Sequence, residues 1–207
     1  MGTAESLLGV PALEGALGDV AERLRQVTVH VRAAGRSAWA GAGAGVIWLR
    51  HGLVVTNAHV ATAAGAEVVL PDGRALPARL VARDPRRDLA ALAVAMDDQL
   101  PALRADARGL RPGELVVAVG HPLGVAYAAA LGIVHRAPSD ERGPGGWLQA
   151  DIRLAPGNSG GPLADAAGRI VGINAMIVGG LGIAVPTHVV ERFVHEIERG
   201  RGGARAA

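Results

Sequence analysis

The chain has 207 residues; half are hydrophobic, but only five are aromatic (three Trp, one Tyr and one Phe). The core must therefore be built from Val, Leu, Ile and Ala, with thirty Gly supplying turns, and this composition favours many short strands. The formal net charge is only +2, and the basic residues, all of them Arg, alternate with Asp and Glu, which argues against a nucleic-acid partner. The absence of Cys excludes disulfides, thiol catalysis and Cys-based zinc sites.

The first 26 residues predict an amphipathic helix that packs on the body as an extension. Leu13, Leu17, Val20 and Leu24 fall on one helical face, and charged residues fall elsewhere. The first twenty residues lack a basic segment followed by a continuous apolar one, and no stretch of about 18 apolar residues exists. We therefore expect no membrane span and no export, which makes the cytoplasm the predicted location.

Residues 27–190 change to short apolar runs broken by Gly, Pro or Asp, which predict about a dozen strands. A turn-rich connector over residues 97–113 separates two halves, about 27–100 and 113–187, and two small β-barrels side by side fit that layout. A C-terminal helix follows from Thr187, with Gly200 as its expected end and a tail to residue 207. The predicted strands contain VTVHV, GVIWL, LVVTN, AEVVL, ALPARLVA and LAALAV, then ELVVAVG, LGIVH, GWLQAD, GRIVGIN and GIAVP.

A glycine-rich loop, GNSGGP, carries one serine at position 159. Small residues let a backbone turn sharply and let a substrate carbonyl approach closely. Taken alone, the string also fits a plain turn between two strands. Its interpretation as a catalytic loop depends on what accompanies it.

A histidine and a carboxylate accompany it. His59 ends the apolar strand of VVTNAHV, and the other six histidines lack a comparable context. Asp88 directly precedes the apolar run LAALAV, so a buried strand would carry its carboxylate to the edge of the core. Asp84 is the alternative, but it stands in an Asp-Pro turn and we favour Asp88.

These three residue types together predict nucleophilic catalysis. A serine hydroxyl is a weak nucleophile until an imidazole removes its proton, and a carboxylate orients that imidazole. The developing oxyanion needs backbone donors, for which the loop offers Gly157 and Ser159, with Asn158 between them setting the turn.

The strings TNAHV, DLAAL and GNSGGPL occur in the order typical of trypsin-like proteases, and the chain resembles the HtrA/Deg branch of that family. Further strings in the same order, among them LRPGELVVAVGHPLG and LQADIRLAPGNSGGPL, extend the resemblance over about residues 27–190. The resemblance implies an all-β fold of two six-stranded antiparallel barrels with an N-terminal and a C-terminal helix. It places the nucleophile at Ser159, the base at His59 and the orienting carboxylate at Asp88, in a cleft between the barrels.

The resemblance also locates the pocket for the substrate residue before the cut, P1. It implies Leu154, Met176 and Ile177 as lining residues. An apolar lining without a carboxylate predicts cleavage after small or medium aliphatic residues, because a buried cation without a partner is costly. The alternative is that these side chains only fill the core of the second barrel.

Three features depart from the family pattern. Ala175 stands where the family often has a hydroxyl that supports the triad carboxylate. The segment after GIN is short, so a regulatory loop is reduced, and the chain ends soon after the protease, where many relatives carry a peptide-binding PDZ module. The N-terminal helix has no aromatic residue, so we do not carry over the family's trimer.

The expected function is therefore a serine endopeptidase that acts on exposed or unfolded polypeptide without a cofactor or metal. Two alternatives remain: a non-catalytic peptide-binding or chaperone-like module on the same fold, and a self-processing protease that cuts its own N-terminal region. Family members often work in the cell envelope, which is the alternative location.

Overall fold

The computed structural model describes residues 9–33, 42–62, 65–96, 101–139, 143 and 146–205. These residues form two closed, six-stranded antiparallel β-barrels with one helix before them and one after them. The predicted fold class is confirmed. Neither helix of this part of the chain is long and apolar enough to cross a membrane.

The two barrels share one strand order. The first is β1-β2-β3-β6-β5-β4 and the second is β7-β8-β9-β12-β11-β10, each closed on itself. The first barrel follows α1 (Gly9–Val27) and consists of β1 (Thr28–Ala33), β2 (Gly43–Leu49), β3 (Leu53–Thr56), β4 (Gly65–Val69), β5 (Ala75–Asp84) and β6 (Leu89–Val94). The second consists of β7 (Leu115–Gly120), β8 (Ala128–Arg136), β9 (Leu148–Asp151), β10 (Pro162–Asp165), β11 (Ile170–Val178) and β12 (Leu181–Pro186), and α2 (Thr187–Arg205) follows it.

Three elements differ from the sequence-based prediction. β10 was not predicted: its four residues, PLAD, begin with Pro and end with Asp, residues that the sequence analysis treats as breaks between strands. β11 continues past GIN to Val178 and meets β12 through Gly179 and Gly180, whose φ angles of 59° and 86° suit a tight hairpin turn. The prediction that the C-terminal helix ends at Gly200 was wrong, because a glycine weakens a helix by only about 1 kcal/mol and does not forbid it.

A third hydrophobic cluster joins the two barrels to both helices, beside the cluster inside each barrel. From α1 it receives Val20 and Leu24, each 1% exposed. Burying each of these side chains contributes about 1.5–3 kcal/mol. The hydroxyl of Thr28, at the start of β1, donates to the carbonyl of Leu24 (2.7 Å) and fastens the helix to the barrel. α1 is therefore part of the core between the barrels.

The connector between the barrels is held by Arg104. Its guanidinium donates to the carbonyl of Trp48 (2.9 Å) and lies 4.9 Å from the centre of the Trp48 ring. It also approaches Glu191 of α2 at 3.5 Å. These contacts tie the connector, the first barrel and the C-terminal helix together.

Candidate active site

His59 stands on a turn that follows β3. The carbonyl of Asn57 accepts the N–H groups of Val60 (3.2 Å) and Ala61 (3.1 Å), which closes the turn around His59. Because the turn lies at the barrel surface, half of the His59 side chain is exposed, at 50%. The imidazole can therefore reach a group bound in the cleft.

Asp88 ends the turn between β5 and β6 and faces His59. Its carboxylate lies 2.8 Å (Oδ2) and 3.0 Å (Oδ1) from Nδ1 of His59, and Oδ1 also accepts the backbone N–H of His59 (3.1 Å). The Asp88 side chain is 14% exposed. A carboxylate at Nδ1 favours the tautomer that donates there, and Nε2 of the neutral ring is then the proton acceptor.

Asp84, the other carboxylate considered from the sequence, has a different environment. Its Oδ1 accepts the N–H groups of Arg86 (2.9 Å) and Arg87 (3.1 Å), and its Oδ2 pairs with the Arg87 guanidinium at 2.8 Å. Arg87 also pairs with Glu196 of α2 (2.9 Å). Asp84 thus shapes the turn and anchors it to α2, whereas Asp88 is the carboxylate that reaches the histidine.

The loop that carries Ser159 is shaped by its backbone. Gly157 and Gly160 have φ angles of +105° and +84°, which side chains other than glycine rarely adopt. The N–H of Asn158 donates to Ala155 (3.0 Å), and the N–H of Gly161 donates to the Asn158 carbonyl (3.0 Å). The N–H of Asn158 is therefore already hydrogen-bonded within the turn. The N–H groups of Gly157 and Ser159 have no acceptor among the described residues.

The Ser159 hydroxyl donates to the carbonyl of Ala175 at 3.1 Å. Ala175 occupies a β-bulge of β11, since Asn174 pairs with Ala184 and Met176 pairs with Ile183 on β12. A bulge removes a residue from the ladder and re-aims its backbone groups. The structure thus brings His59 and Asp88 into direct contact, and it leaves the hydroxyl of Ser159 bonded to Ala175 and not to His59.

The first barrel nevertheless meets the serine loop directly. The N–H of Ala44 donates to the carbonyl of Ser159 at 2.8 Å. Beside it, a Cβ added at Gly43 would lie 2.7 Å from the Val60 side chain and 2.9 Å from that same Ser159 carbonyl. Val60 is the neighbour of His59 in sequence, so the histidine turn and the serine loop face each other across one glycine.

His121 was set aside in the sequence analysis, yet it lies behind the serine loop. Its N–H donates to the Gly157 carbonyl (3.1 Å), and its ring stacks on His30 with centroids 4.6 Å apart and meets Tyr127 edge-on. Burial, together with the nearby His30 and Arg32, lowers the pKa of His121 to about 4. The sequence signal was its place in VVAVGHPLG, directly after the apolar run that forms β7.

A cavity of about 230 Å³ opens beside Ser159. All three side chains implied for the P1 pocket line it, and none of the described residues that line it is charged. A larger groove of about 600 Å³ lies between β5 and α2, and no Ser, Thr or His stands among the residues of the described chain that line it. The cavity beside Ser159 is lined by Leu154, Ala155, Pro156, Asn158, Ser159, Asn174, Ala175, Met176 and Ile177.

Comparison with known proteins agrees with this architecture. A family model described as a trypsin-like peptidase domain matches residues 43–173, from β2 into β11. The chain belongs to the trypsin-like peptidase family. The match contains both turns that meet at the cleft and the loop of Ser159.

Its relatives are proteases of the HtrA/DegP group, which confirms the resemblance seen in the sequence. A probable periplasmic serine endoprotease DegP-like of Marinomonas sp. (strain MWYL1) is 39% identical over 170 residues, covering 75% of this chain and 35% of that protein. Serine protease HTRA3 of Rattus norvegicus is 33% identical over 203 residues, covering 88% of this chain and 44% of that protein. Serine protease HTRA2, mitochondrial, of Bos taurus is 32% identical over 198 residues, covering 88% and 43%. The chain thus spans less than half the length of these relatives.

Proposed function

We propose that this chain is a serine endopeptidase that hydrolyses peptide bonds in exposed or unfolded polypeptide, with His59, Asp88 and Ser159 as its catalytic triad. The observation that carries the proposal is the 2.8 Å contact between His59 Nδ1 and Asp88, on a turn that faces the serine loop. Membership of the trypsin-like peptidase family and the names of the relatives support the same reaction class.

The reaction begins with a rotation of the Ser159 side chain from Ala175 toward His59. Rotamer changes of this kind are fast compared with turnover. Nε2 of His59 removes the hydroxyl proton while Oγ attacks the carbonyl carbon of the scissile bond, and Asp88 stabilises the imidazolium that forms. His59 then returns the proton to the leaving amine, and water hydrolyses the acyl-enzyme by the same route.

The N–H groups of Gly157 and Ser159 would bind the oxyanion of the tetrahedral intermediate. Both lack an acceptor in the described part of the chain, as donors kept for a substrate should. The Asn158 N–H, which already donates to Ala155, would set the shape of the loop. Loss of one donor of this kind costs on the order of 100-fold to 1,000-fold in rate.

The substrate residue before the cut would enter the cavity beside Ser159. Leu154, Met176 and Ile177 supply an apolar wall in a volume of about 230 Å³. We therefore propose small or medium aliphatic residues at P1. Arg or Lys would place an unpaired cation there, which is costly.

The location is a separate proposal, and one relative bears on it. The Marinomonas protein is named as periplasmic. We propose a cell-envelope location, which the sequence analysis kept as the alternative to the cytoplasm. Cell fractionation of the producing organism tests this, and recovery of the protein in the cytoplasmic fraction alone would overturn it.

A serine-directed phosphonate tests the proposed chemistry. Incubation with the purified protein followed by peptide mapping should place the adduct on Ser159, because only an activated hydroxyl reacts at a useful rate. His59→Ala should abolish labelling, and Ser159→Ala should lower turnover on an unfolded casein substrate on the order of a millionfold.

Labelling elsewhere, or turnover that survives in Ser159→Ala, would refute the assignment. A folded protein that neither reacts nor cleaves would favour the peptide-binding module. If mass spectrometry over time shows that the N-terminus stays intact while casein is consumed, the self-processing alternative is refuted.

A further inference from the structure

Asn57 is a fully buried residue that no part of the proposed mechanism uses. It directly follows β3, two residues before His59, and its side chain has no exposed surface. Its Nδ2 donates to the backbone carbonyl of Asp88 at 2.9 Å. Since a backbone carbonyl can only accept, the atom that faces Asp88 must be the amide nitrogen.

The hydrogen bond from Asn57 to Asp88 lies where the pairing of β3 with β6 ends. Thr56 and Ala90 form the last paired residues of the two strands. Beyond them the backbones separate into the two turns that carry His59 and Asp88. The amide of Asn57 bridges this gap and replaces the ladder bond that the backbone no longer makes.

Asp88 needs such support because its backbone is strained. Its φ angle is +50°, a left-handed conformation that is unfavourable for a residue other than glycine. The carbonyl of Asp88 is attached to the same Cα that carries its carboxylate side chain. A hydrogen bond to that carbonyl therefore restrains the position of this Cα, from which the carboxylate reaches His59.

Asn57 also holds the partner turn. Its own carbonyl accepts the N–H groups of Val60 and Ala61, which flank His59 on its C-terminal side. One residue thus contacts the turn of the base through its backbone and the turn of the carboxylate through its side chain. The hydrogen bonds that the Asp88 carboxylate makes within the described residues all come from His59, and Ala175 has no hydroxyl to add another.

A contribution to the stability of the fold does not explain why an amide side chain stands at position 57. Its Oδ1 is buried without a partner in the described part of the chain, and an unsatisfied buried acceptor destabilises the folded state. An apolar side chain of similar shape would avoid that cost. The amide is useful where the position of the Asp88 peptide matters more than the free energy of unfolding.

We infer that Asn57 is a positioning residue of the active site: its side-chain amide fixes the Asp88 peptide so that the carboxylate meets Nδ1 of His59. The inference rests on the proposed function and names a group that acts through Asp88 without touching substrate. Its sequence signal is the Asn of TNAHV, a polar residue at the end of a buried strand.

Two variants remove the donor in different ways. Asn57→Leu keeps the branched shape, and Asn57→Ala also removes volume, so a shared effect belongs to the lost amide. Thr28→Val is the matched control, because it removes another buried hydrogen bond, to Leu24 (2.7 Å), that lies on α1. Thr28→Val should lower thermal stability and leave activity per folded molecule unchanged.

We expect both Asn57 variants to lose on the order of 100-fold in kcat, the cost of a misplaced catalytic group, with KM within about threefold of the wild type. Proton NMR supplies a readout that stability would not move. The Nδ1 proton of His59 is hydrogen-bonded to the Asp88 carboxylate, so it should give a far-downfield resonance in the wild type and in Thr28→Val. In the Asn57 variants it should shift upfield or disappear.

Folded Asn57 variants that keep both kcat and the downfield resonance would overturn the inference, as would a rise in KM alone. If neither variant folds, hydrogen exchange of the wild type is the test. The side-chain amide protons of Asn57 must exchange slowly with D₂O, and fast exchange overturns the inference. The NMR test needs no substrate. A wild type that does not hydrolyse peptides but whose resonance depends on Asn57 would refute the proposed function and leave the positioning role standing.

Discussion

His59 and Asp88, in the first barrel, stand on turns tied together by side-chain hydrogen bonds, whereas Ser159, in the second barrel, stands on a loop shaped by its backbone. On the first side the Asp88 carboxylate makes three contacts of 2.8 to 3.1 Å with His59. On the second side Gly157 and Gly160 hold positive φ angles, and Asn158 and Gly161 close the turn through main-chain bonds.

Each side also contains one fully buried asparagine that donates to a carbonyl at 2.9 Å. Asn57 donates to Asp88, and Asn174 donates to Pro162, the last residue of GNSGGP. Both leave a buried Oδ1 without a partner in the described residues. The difference between the sides is therefore in what each asparagine holds: a strained aspartate in one case, and the end of a glycine loop in the other.

This comparison predicts which substitutions each half tolerates. In the first barrel, activity should be lost when a side chain at the turns of His59 and Asp88 loses a charge or a hydrogen-bond donor. In the second barrel, activity should be lost when a glycine of the serine loop gains a Cβ, even though no catalytic atom is removed.

The largest effect is expected from Asp88→Asn. The amide keeps the size of the side chain and tolerates the left-handed backbone, but it favours the wrong tautomer of His59, and kcat should fall by about 10⁴-fold. Asp84→Asn is the control from the same turn, and steady-state kinetics should show at most a few-fold change for it. Equal losses in the two variants would mean that the turn, and not the carboxylate at His59, matters.

Gly157→Ala should cost on the order of 100-fold to 1,000-fold in kcat. Gly157 has φ = +105°, and an added Cβ would overlap the carbonyl oxygen of His121, so the loop must move and carry its N–H donors away. Gly113→Ala controls for backbone strain, because Gly113 has φ = +90° with nothing within 4 Å of an added Cβ. Activity measured per folded molecule should fall only in Gly157→Ala; a fall in both would make strain alone responsible.

Leu154→Ala should change specificity more than rate. The lost side chain enlarges the cavity beside Ser159, so cleavage after larger P1 residues should gain about tenfold relative to cleavage after Val. Val178→Ala is the control, since Val178 is exposed at 53% on β11 and does not line that cavity. Cleavage-site profiling of a peptide library by mass spectrometry measures the change, and an unaltered profile would remove Leu154 from the pocket.

The smallest effect on activity is expected at the stacked pair of His121 and His30 behind the serine loop, where the change is in stability. The pKa of His121 is about 4 in the folded protein, while an unfolded histidine titrates near 6.5. The unfolded state therefore binds more protons between these pH values, and this group's contribution to stability falls, by up to about 3 kcal/mol, as the pH drops from 6.5 to 4. Burial also lowers the pKa of His30.

Urea unfolding at several pH values measures this contribution. His121→Asn should give a shallower loss of stability on acidification than the wild type, because one proton-linked group has been removed. An identical pH dependence in the two proteins would show that His121 is not responsible.

Much of the fold was predictable because its signals are local. Short apolar runs separated by Gly, Pro and Asp predicted eleven of the strands. The missed one, β10, has only two apolar residues between Pro162 and Asp165, which resemble the breaks between strands. The residues proposed for catalysis stand in short strings with distinct chemistry, which is why His59, Asp88 and Ser159 could be proposed before any contact was known. The preference for Asp88 over Asp84 also used local information, the Asp-Pro turn.

The sequence by itself therefore determined the strand-rich class, the order of the candidate catalytic groups and the need for glycine in the serine loop. Only the tertiary structure decided features that join distant residues: the shared strand order of the barrels, the place of α1 in the core between them, and the stacking of His121 on His30. It likewise decided that the Ser159 hydroxyl rests on Ala175 and that Asn57 reaches Asp88. Such contacts depend on how two barrels and two turns pack in space, and no pattern within a short stretch of chain records that packing.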